Sequence, residues 1–385
     1  MGGEAPTVGI VLEINQISDV ILGFGALRAS HLLDEVAGNL RIHEPPHMGS
    51  GGHWRVSLMA SAGSGPGKVD AAVTLPSPQK LQWHHYRIAN TCRYAEVYVR
   101  HQVELHWEKD KTITRKLLRL LYSDCFVSGC DASILLDGSD SERKALQNSG
   151  LGGFSLIDKI KTVLEQRCPG VVSCADILNL ATRDAAHLAG APSYPVFTGR
   201  RDGPRTTAAS VDLPSPSISW QQALAHFQSK GLDVLDLATL LGAHSTGMTR
   251  CRYITDRLYN FNGTGKPDPD MDPDFRAKMS KLCPPRSKGQ PDPLVDLTPG
   301  SYYNFSSLYY SQIQSRRAVL HLDNDLLRGN DTQQIVEEFA RSDEGFEDFR
   351  RSFALSMSRM GSIGVLTGNQ GEIRRNCRFT NAESP

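Results

Sequence analysis

Net charge is the first thing this 385-residue chain lacks, since 42 Lys and Arg balance 42 Asp and Glu. That balance excludes a general polyanion binder, and no long basic run reopens the question, so nucleic acid is not an expected partner. Long apolar runs are missing too. A membrane span needs about 18 uninterrupted apolar residues, and the best stretch, Val8 to Leu33, is broken by Glu13, Asp19 and Arg28. The opening residues Met1-Gly2-Gly3-Glu4 lack the basic segment that precedes the apolar core of a secretory signal, so no signal peptide is recognisable. Alternating Val, Ile and Thr are scarce, which argues against an extensive sheet.

Cysteine, by contrast, is present as an even set of eight, at positions 92, 125, 130, 168, 174, 251, 283 and 377. Without CxxC pairs, such a set fits disulfides better than zinc and implies an oxidising compartment. The sequence alone leaves 105 pairings open. Residues 1–80 carry no cysteine, little periodicity and the Gly/Ser-rich stretches 49–52 and 61–67. They read as an extension outside the fold. From Leu81 onward apolar residues recur at three- and four-residue spacing. The segments are Ala95–Trp107, Thr114–Leu121, Gly153–Gln166, Cys174–Ala189, Trp220–Lys230, Asp233–Ala243 and Phe346–Met360. Pro and Gly clusters separate them. The expected fold is mainly α with long loops and no internal repeat, in a chain with ample length for a core.

Two segments carry candidate chemistry. In residues 232–244, Asp233 is placed to cap a helix and Asp236 to favour its positive end. Leu237, Leu240 and Leu241 share a face with His244, which falls at the helix end. An imidazole there suits a ligand to a metal in a dry pocket, although taken alone a hydrogen-bonded core histidine is the commoner outcome. In residues 117–133, Asp124, Asp131 and Ser133 are hard oxygen donors, and the turn between them can aim the carbonyls of Val127 and Gly129 at one point. Five oxygens on a short loop suit calcium, an ordinary acidic turn being the alternative. Cys125 and Cys130 could clamp that loop.

At this point a resemblance emerges. Residues 81–380 resemble a class III plant haem peroxidase along their whole length. The matching segments are GCDASILLD at 129–137, VVSCADIL at 171–178, GRRDG at 199–203, LPSP at 213–216, CRYITDRLYNFNGTG at 251–265 and RMGSIGVLTGNQGEIRRNC at 359–377. The resemblance implies a peroxidase domain over 81–381, with two helical subdomains sandwiching haem b. It implies that His244 ligates the iron, that Asp323 accepts its other N–H and makes the imidazole more basic, and that Arg119 polarises bound peroxide. It gives Asn148, in SERKALQN, the task of orienting a distal histidine, and Pro214 a contact with aromatic substrates. The implied disulfides are Cys92–Cys168, Cys125–Cys130, Cys174–Cys377 and Cys251–Cys283. The implied partners are hydrogen peroxide and phenolic small molecules, for a monomer that is secreted or held in the cell wall or vacuole. The sequons at Asn262, Asn304 and Asn330 accord with secretion but are short.

The chain departs from that family at three places. Where the family reads Arg-Leu-His-Phe-His-Asp-Cys, residues 119–125 read Arg-Leu-Leu-Tyr-Ser-Asp-Cys, so Ser123 stands at the position of the distal acid–base histidine. A serine hydroxyl does not titrate near neutral pH, and losing a general acid–base costs roughly 10²–10⁴-fold. The second departure lies in the family's proximal calcium site. There Thr298 and Ser306 stand in place of aspartates, and Ser245 and Ser301 in place of threonines, so that site is expected to be weak while the distal one is complete. In addition, Arg93 replaces a proline after Cys92. The leading expectation is a peroxidase of impaired activity. The rival is a haem-binding pseudoperoxidase acting as a ligand sensor, a peroxide sink or a wall-binding protein.

Overall fold

The structure, a computed structural model, describes residues 81–287 and 289–384. The expectation of an extension over 1–80 lies outside the described residues. As expected, the fold is mainly α. Helix α1 (Ala95–Trp107) buries Ala95, Val99 and Val103, one face at four-residue spacing. Helix α2 (Ile113–Cys125) buries Ile113, Leu117, Leu120 and Leu121 and then, in its last turn, Ser123, Asp124 and Cys125. The apolar pattern ended α2 at Leu121. The helix continues one turn further because its last buried positions are polar and carry no hydrophobic signal.

Helix α3 (Phe154–Arg167) packs on α1 and on α4 (Cys174–Leu188), the central element of this half. The Ser173 side chain caps α4 by accepting from the Asp176 N–H at 3.1 Å. All residues from Cys174 to Ala186 are buried, which an amphipathic surface helix could not satisfy. The Asp176 carboxylate ties α4 to the chain around Arg200, with Arg200 Nη1 at 2.8 Å, the Gly199 N–H at 2.7 Å and the Tyr86 hydroxyl at 2.6 Å. Removing Arg200 would leave the buried Asp176 charge without its counter-ion, at a cost of about 3–5 kcal/mol.

The other half contains α5 (Trp220–Ser229), α6 (Val234–Leu240), α7 (Pro273–Leu282), α8 (Leu308–Gln314), α9 (His321–Asp325), α10 (Asn330–Ala340) and α11 (Asp343–Met360). Helices α6, α10 and α11 pack on one another, and α8 packs on α10. The sequence pattern carried α6 to Ala243, but it ends at Leu240 and residues 241–245 tighten into a 3₁₀ turn. Gly242 weakens the α-helix there. A Cβ at Gly242 would also lie 2.6 Å from the Tyr310 hydroxyl and 2.4 Å from Phe349, so only glycine lets this turn sit against the core. A small separate core forms around Cys251, Ile254, Leu258, Phe275 and Met279.

Strands are confined to two short antiparallel pairs among the described residues. β1 (Gln82–Trp83) pairs with β2 (Phe197–Thr198), and β3 (Met248–Arg250) with β4 (Leu294–Asp296). Two or three residues are too few for an alternation to be read from sequence. Disulfides close Cys92 to Cys168, Cys125 to Cys130, Cys174 to Cys377 and Cys251 to Cys283, the pairs the resemblance implies. No helix of the described residues is long and apolar enough to cross a membrane.

Candidate functional site

His244 sits in the 3₁₀ turn after α6, and the segment from Asp233 through that turn is fixed at both ends. At its start, Asp233 accepts from the N–H groups of Leu235 and Asp236 at 3.0 and 3.1 Å, while Asp236 accepts from the Asp233 N–H at 2.9 Å. This reciprocal cap is further held by Arg359, 2.7 Å from both carboxylates. Burial pushes the Asp236 carboxyl up to about 6. At the far end the Thr298 hydroxyl donates to the His244 carbonyl at 2.8 Å.

The His244 ring is oriented by a carboxylate. Its Nδ1 lies 3.0 Å from Oδ1 of Asp323, a residue on α9 with 1 % of its surface exposed. The same oxygen accepts from the hydroxyl of buried Tyr309 at 3.0 Å. Burial, and then the Asp323 charge, push the Tyr309 hydroxyl well above its ordinary pKa, so it remains a donor. Accepting from Nδ1–H fixes the tautomer in which Nε2 carries a lone pair. That nitrogen has no protein partner among the described residues.

A second set of groups projects from α2 and the chain after it. Arg119 is exposed, donates from Nη2 to the Gln147 carbonyl at 3.1 Å, and lies 5.0 Å above the Tyr122 ring. One turn later Ser123 is fully buried, and its hydroxyl has no partner. Asn148 donates from Nδ2 to the Glu142 carbonyl at 2.9 Å, while its buried Oδ1 has none. Burial raises the Tyr122 hydroxyl pKa, against the pull of Arg119. Pro214 is half-buried, two residues before Pro216, whose carbonyl accepts from the Leu322 N–H at 3.2 Å.

The acidic loop follows α2 directly. Asp124 Oδ2 accepts from the Ala132 N–H at 2.9 Å, and Asp131 Oδ1 accepts from the Ser133 N–H at 3.0 Å. Gly129, at φ 112°, is in the left-handed region, and a Cβ on it would stand 2.5 Å from the Gly364 carbonyl oxygen. Burial, followed by the charge of Asp131, raises the Asp124 carboxyl. Burial also raises Asp131 itself and brings Glu142 up to about 7. The Ser133 hydroxyl and Glu142 Oε2 are buried without partners. The Gly129 carbonyl accepts from the Asp131 N–H at 2.8 Å, and the Val127 carbonyl from Lys230 Nζ at 3.2 Å. No three acidic, His or Cys side chains among the described residues form a metal cage. The donor set in question instead has two carboxylates, a hydroxyl and two carbonyls.

In the segment after β4 the hydroxyls of Thr298 and Ser301 are engaged within the protein. Thr298 donates to the His244 carbonyl and Ser301 to the Asn304 carbonyl, each at 2.8 Å. Ser306 Oγ accepts from the Leu308 N–H at 3.2 Å, and the buried Ser245 hydroxyl has no partner.

Comparison with known proteins decides what this arrangement belongs to. The peroxidase family model matches residues 99–342. The chain is 65% identical over 319 residues to Probable peroxidase 26 of Arabidopsis thaliana, covering 82% of this chain and 94% of that protein. It is 62% identical over 330 residues to Probable peroxidase 61 of the same plant, covering 85% and 96%, and 42% identical to Peroxidase 57 over 76% and 91%. The chain belongs to the class III plant peroxidase family.

Peroxidase membership implies haem and calcium, and the residues can be tested against each. An imidazole held by a buried carboxylate, with its other nitrogen unpartnered, fits an iron ligand. Three buried carboxyls with raised pKa values, beside an unpartnered buried hydroxyl, fit a missing cation on the acidic loop. Thr298, Ser301, Ser306 and Ser245 offer hydroxyls and no carboxylate, a weaker donor set for a second calcium, and of these hydroxyls only that of Ser245 is buried without a partner.

Sequence reasoning missed three contacts. They are the Tyr309 hydroxyl on Asp323, the Thr298 hydroxyl on the His244 carbonyl, and the place of Glu142 beside the acidic loop. Each joins residues far apart in the chain or turns on which way one side chain points. Periodicity carries no signal of that kind.

Proposed function

We propose that this peroxidase holds haem b on His244 and uses hydrogen peroxide to oxidise phenolic donors, at a rate limited by serine at position 123. The observation that carries the reading is the His244 Nδ1–Asp323 bond with Nε2 left unpartnered. Haem supplies the redox chemistry when bound. The residues supply the rest. Asp323 fixes the imidazole tautomer and strengthens it as a donor. Arg119 brings a permanent positive charge to polarise the peroxide. Asn148, anchored through Nδ2 on the Glu142 carbonyl and with its buried Oδ1 unpartnered, is assigned to hold a group that must keep or pass a proton. In the family that group is a histidine. Here it is the Ser123 hydroxyl, which can donate or accept a hydrogen bond but cannot take up a proton near neutral pH. Pro214 is assigned to the donor contact.

One calcium, on Asp124, Val127, Gly129, Asp131 and Ser133, completes the cofactor set. The Thr298–Ser301 segment holds none. Four disulfides accord with an oxidising destination, secreted or in the wall or vacuole, and the protein is assigned as a monomer.

The second reading, a haem-binding pseudoperoxidase, is favoured by one observation alone, the buried and unpartnered Ser123 hydroxyl. Stopped-flow mixing of the haem-loaded protein with peroxide separates the two. A saturable change in the Soret band followed by oxidation of guaiacol supports the enzyme. A Soret band that peroxide leaves unchanged supports the binding protein.

A further inference from the structure

Asp323 Oδ1 is shared. It accepts from His244 Nδ1 and from the Tyr309 hydroxyl, each at 3.0 Å, and the carboxylate and the phenol are buried: Asp323 is 1 % and Tyr309 2 % exposed. We propose that Tyr309 is a positioning residue that sets how strongly His244 donates to the iron, by competing with its Nδ1–H for one carboxylate oxygen. The inference rests on the haem reading above and concerns a residue that reading does not use.

The physical argument is one of charge. A carboxylate oxygen facing a single N–H draws that proton toward itself, and the imidazole then resembles an imidazolate, the stronger donor. A second hydrogen bond to the same oxygen withdraws part of that charge. With the carboxylate this deeply buried, solvent does little to replenish it. Tyr309 is therefore expected to moderate the ligand and to favour the reduced iron relative to a site without the phenol. The phenol is built to stay in place. Its ring meets Tyr310 edge-on at 4.8 Å, and Tyr310 in turn donates to the Ala238 carbonyl of α6 at 3.0 Å. The His244 ring approaches Tyr309 edge-on, with centroids 6.3 Å apart. The aromatic pair thus couples α8 to both supports of the histidine, the helix before it and the carboxylate beside it.

The test is Tyr309→Phe in the full, haem-loaded chain. This substitution keeps the ring and removes the donor. The Fe(III)/Fe(II) midpoint potential is expected to fall by an amount equal to about a tenfold shift in the one-electron equilibrium, about 59 mV. The iron–histidine stretching frequency of the reduced protein should rise. Tyr309→3-fluorotyrosine, a stronger donor of the same shape, should move both quantities the opposite way. It also decides the matter if the phenylalanine variant loads haem poorly. A haem-loaded variant whose potential stays put, or two variants that shift it in the same direction, overturns the assignment. A wild-type chain that takes up no haem overturns the haem reading, and this assignment with it.

Discussion

The two sides of the candidate site differ in how completely their polar groups are satisfied. On the His244 side the ring Nδ1, the carbonyl and the preceding helix cap have protein partners, Asp323, Thr298, and Asp233 with Asp236 and Arg359, while the buried Ser245 hydroxyl beside them has none. On the Ser123 side, the Ser123 hydroxyl, Asn148 Oδ1, the Ser133 hydroxyl and Glu142 Oε2 are all buried with none. A buried polar atom without a partner costs about 1–3 kcal/mol, and a folded chain seldom carries four in one neighbourhood without an external partner to satisfy them. The His244 side is pre-organised by the protein. The Ser123 side leaves these groups open, as the proposed cation at the acidic loop and a proton-carrying group or water beside Asn148 would require.

The largest expected effect breaks the comparison at its centre. His244→Ala should abolish haem uptake, read as loss of the Soret band after reconstitution, because it removes the imidazole that Asp323 orients. Full haem content in that variant would sink the assignment. Next in size, Ser123→His should accelerate reaction with peroxide by about two orders of magnitude or more. Arg119 stands one turn earlier on α2, and Asn148 already has Nδ2 anchored and Oδ1 vacant for an imidazole N–H. The gain should fade below about pH 6.5, where the new imidazole arrives protonated. Leu121 and Tyr122 differ from the residues the family resemblance leads one to expect beside this position, so Tyr122→Phe in the same background separates packing from chemistry. An unchanged rate at normal haem content would show that the missing base is not what limits this protein.

A third measurement bears on the acidic loop. Metal analysis should find one calcium per chain, lost in Asp124→Asn. At free calcium a hundredfold above its dissociation constant, chelation should lower stability by about 2.7 kcal/mol. Two ions per chain would mean that the hydroxyls of Thr298 and Ser301 bind a cation after all.

How much of this was legible beforehand follows from the kind of signal each feature leaves. Helices α1, α3, α4 and α5 were readable because their buried faces repeat at three and four residues. The last turn of α2 was not, because its buried positions are a serine, an aspartate and a disulfide cysteine, which do not extend the apolar repeat. His244, Asp323, Arg119 and Asn148 were legible only through resemblance to a family. Taken alone, His244 was indistinguishable from an ordinary core histidine. Tyr309 illustrates the limit. Its place in the sequence was plain, but its hydroxyl meets Asp323 because α8 and α9 pack together, and local patterns do not encode tertiary direction.

The smallest expected effect falls on the satisfied side and tests whether that side is self-sufficient. Thr298 stands where the family carries an aspartate for calcium, yet its hydroxyl donates to the carbonyl of the histidine itself. Thr298→Val keeps the β-branched shape and removes only that donor. If the hydrogen bond does the work of the absent cation, the loss should be that of a single bond, about 1 kcal/mol by thermal or denaturant unfolding. Calcium content should stay at one per chain. The iron–histidine stretch of the reduced protein should broaden, since the turn carrying His244 loses its anchor at the far end while the cap on α6 remains. A loss of several kcal/mol together with a bound calcium would instead mean that Thr298 ligates a cation, and the contrast between the two sides would disappear. A shift of about 1 kcal/mol with unchanged metal content keeps the contrast: one side held by the protein's own hydrogen bonds, the other completed from outside.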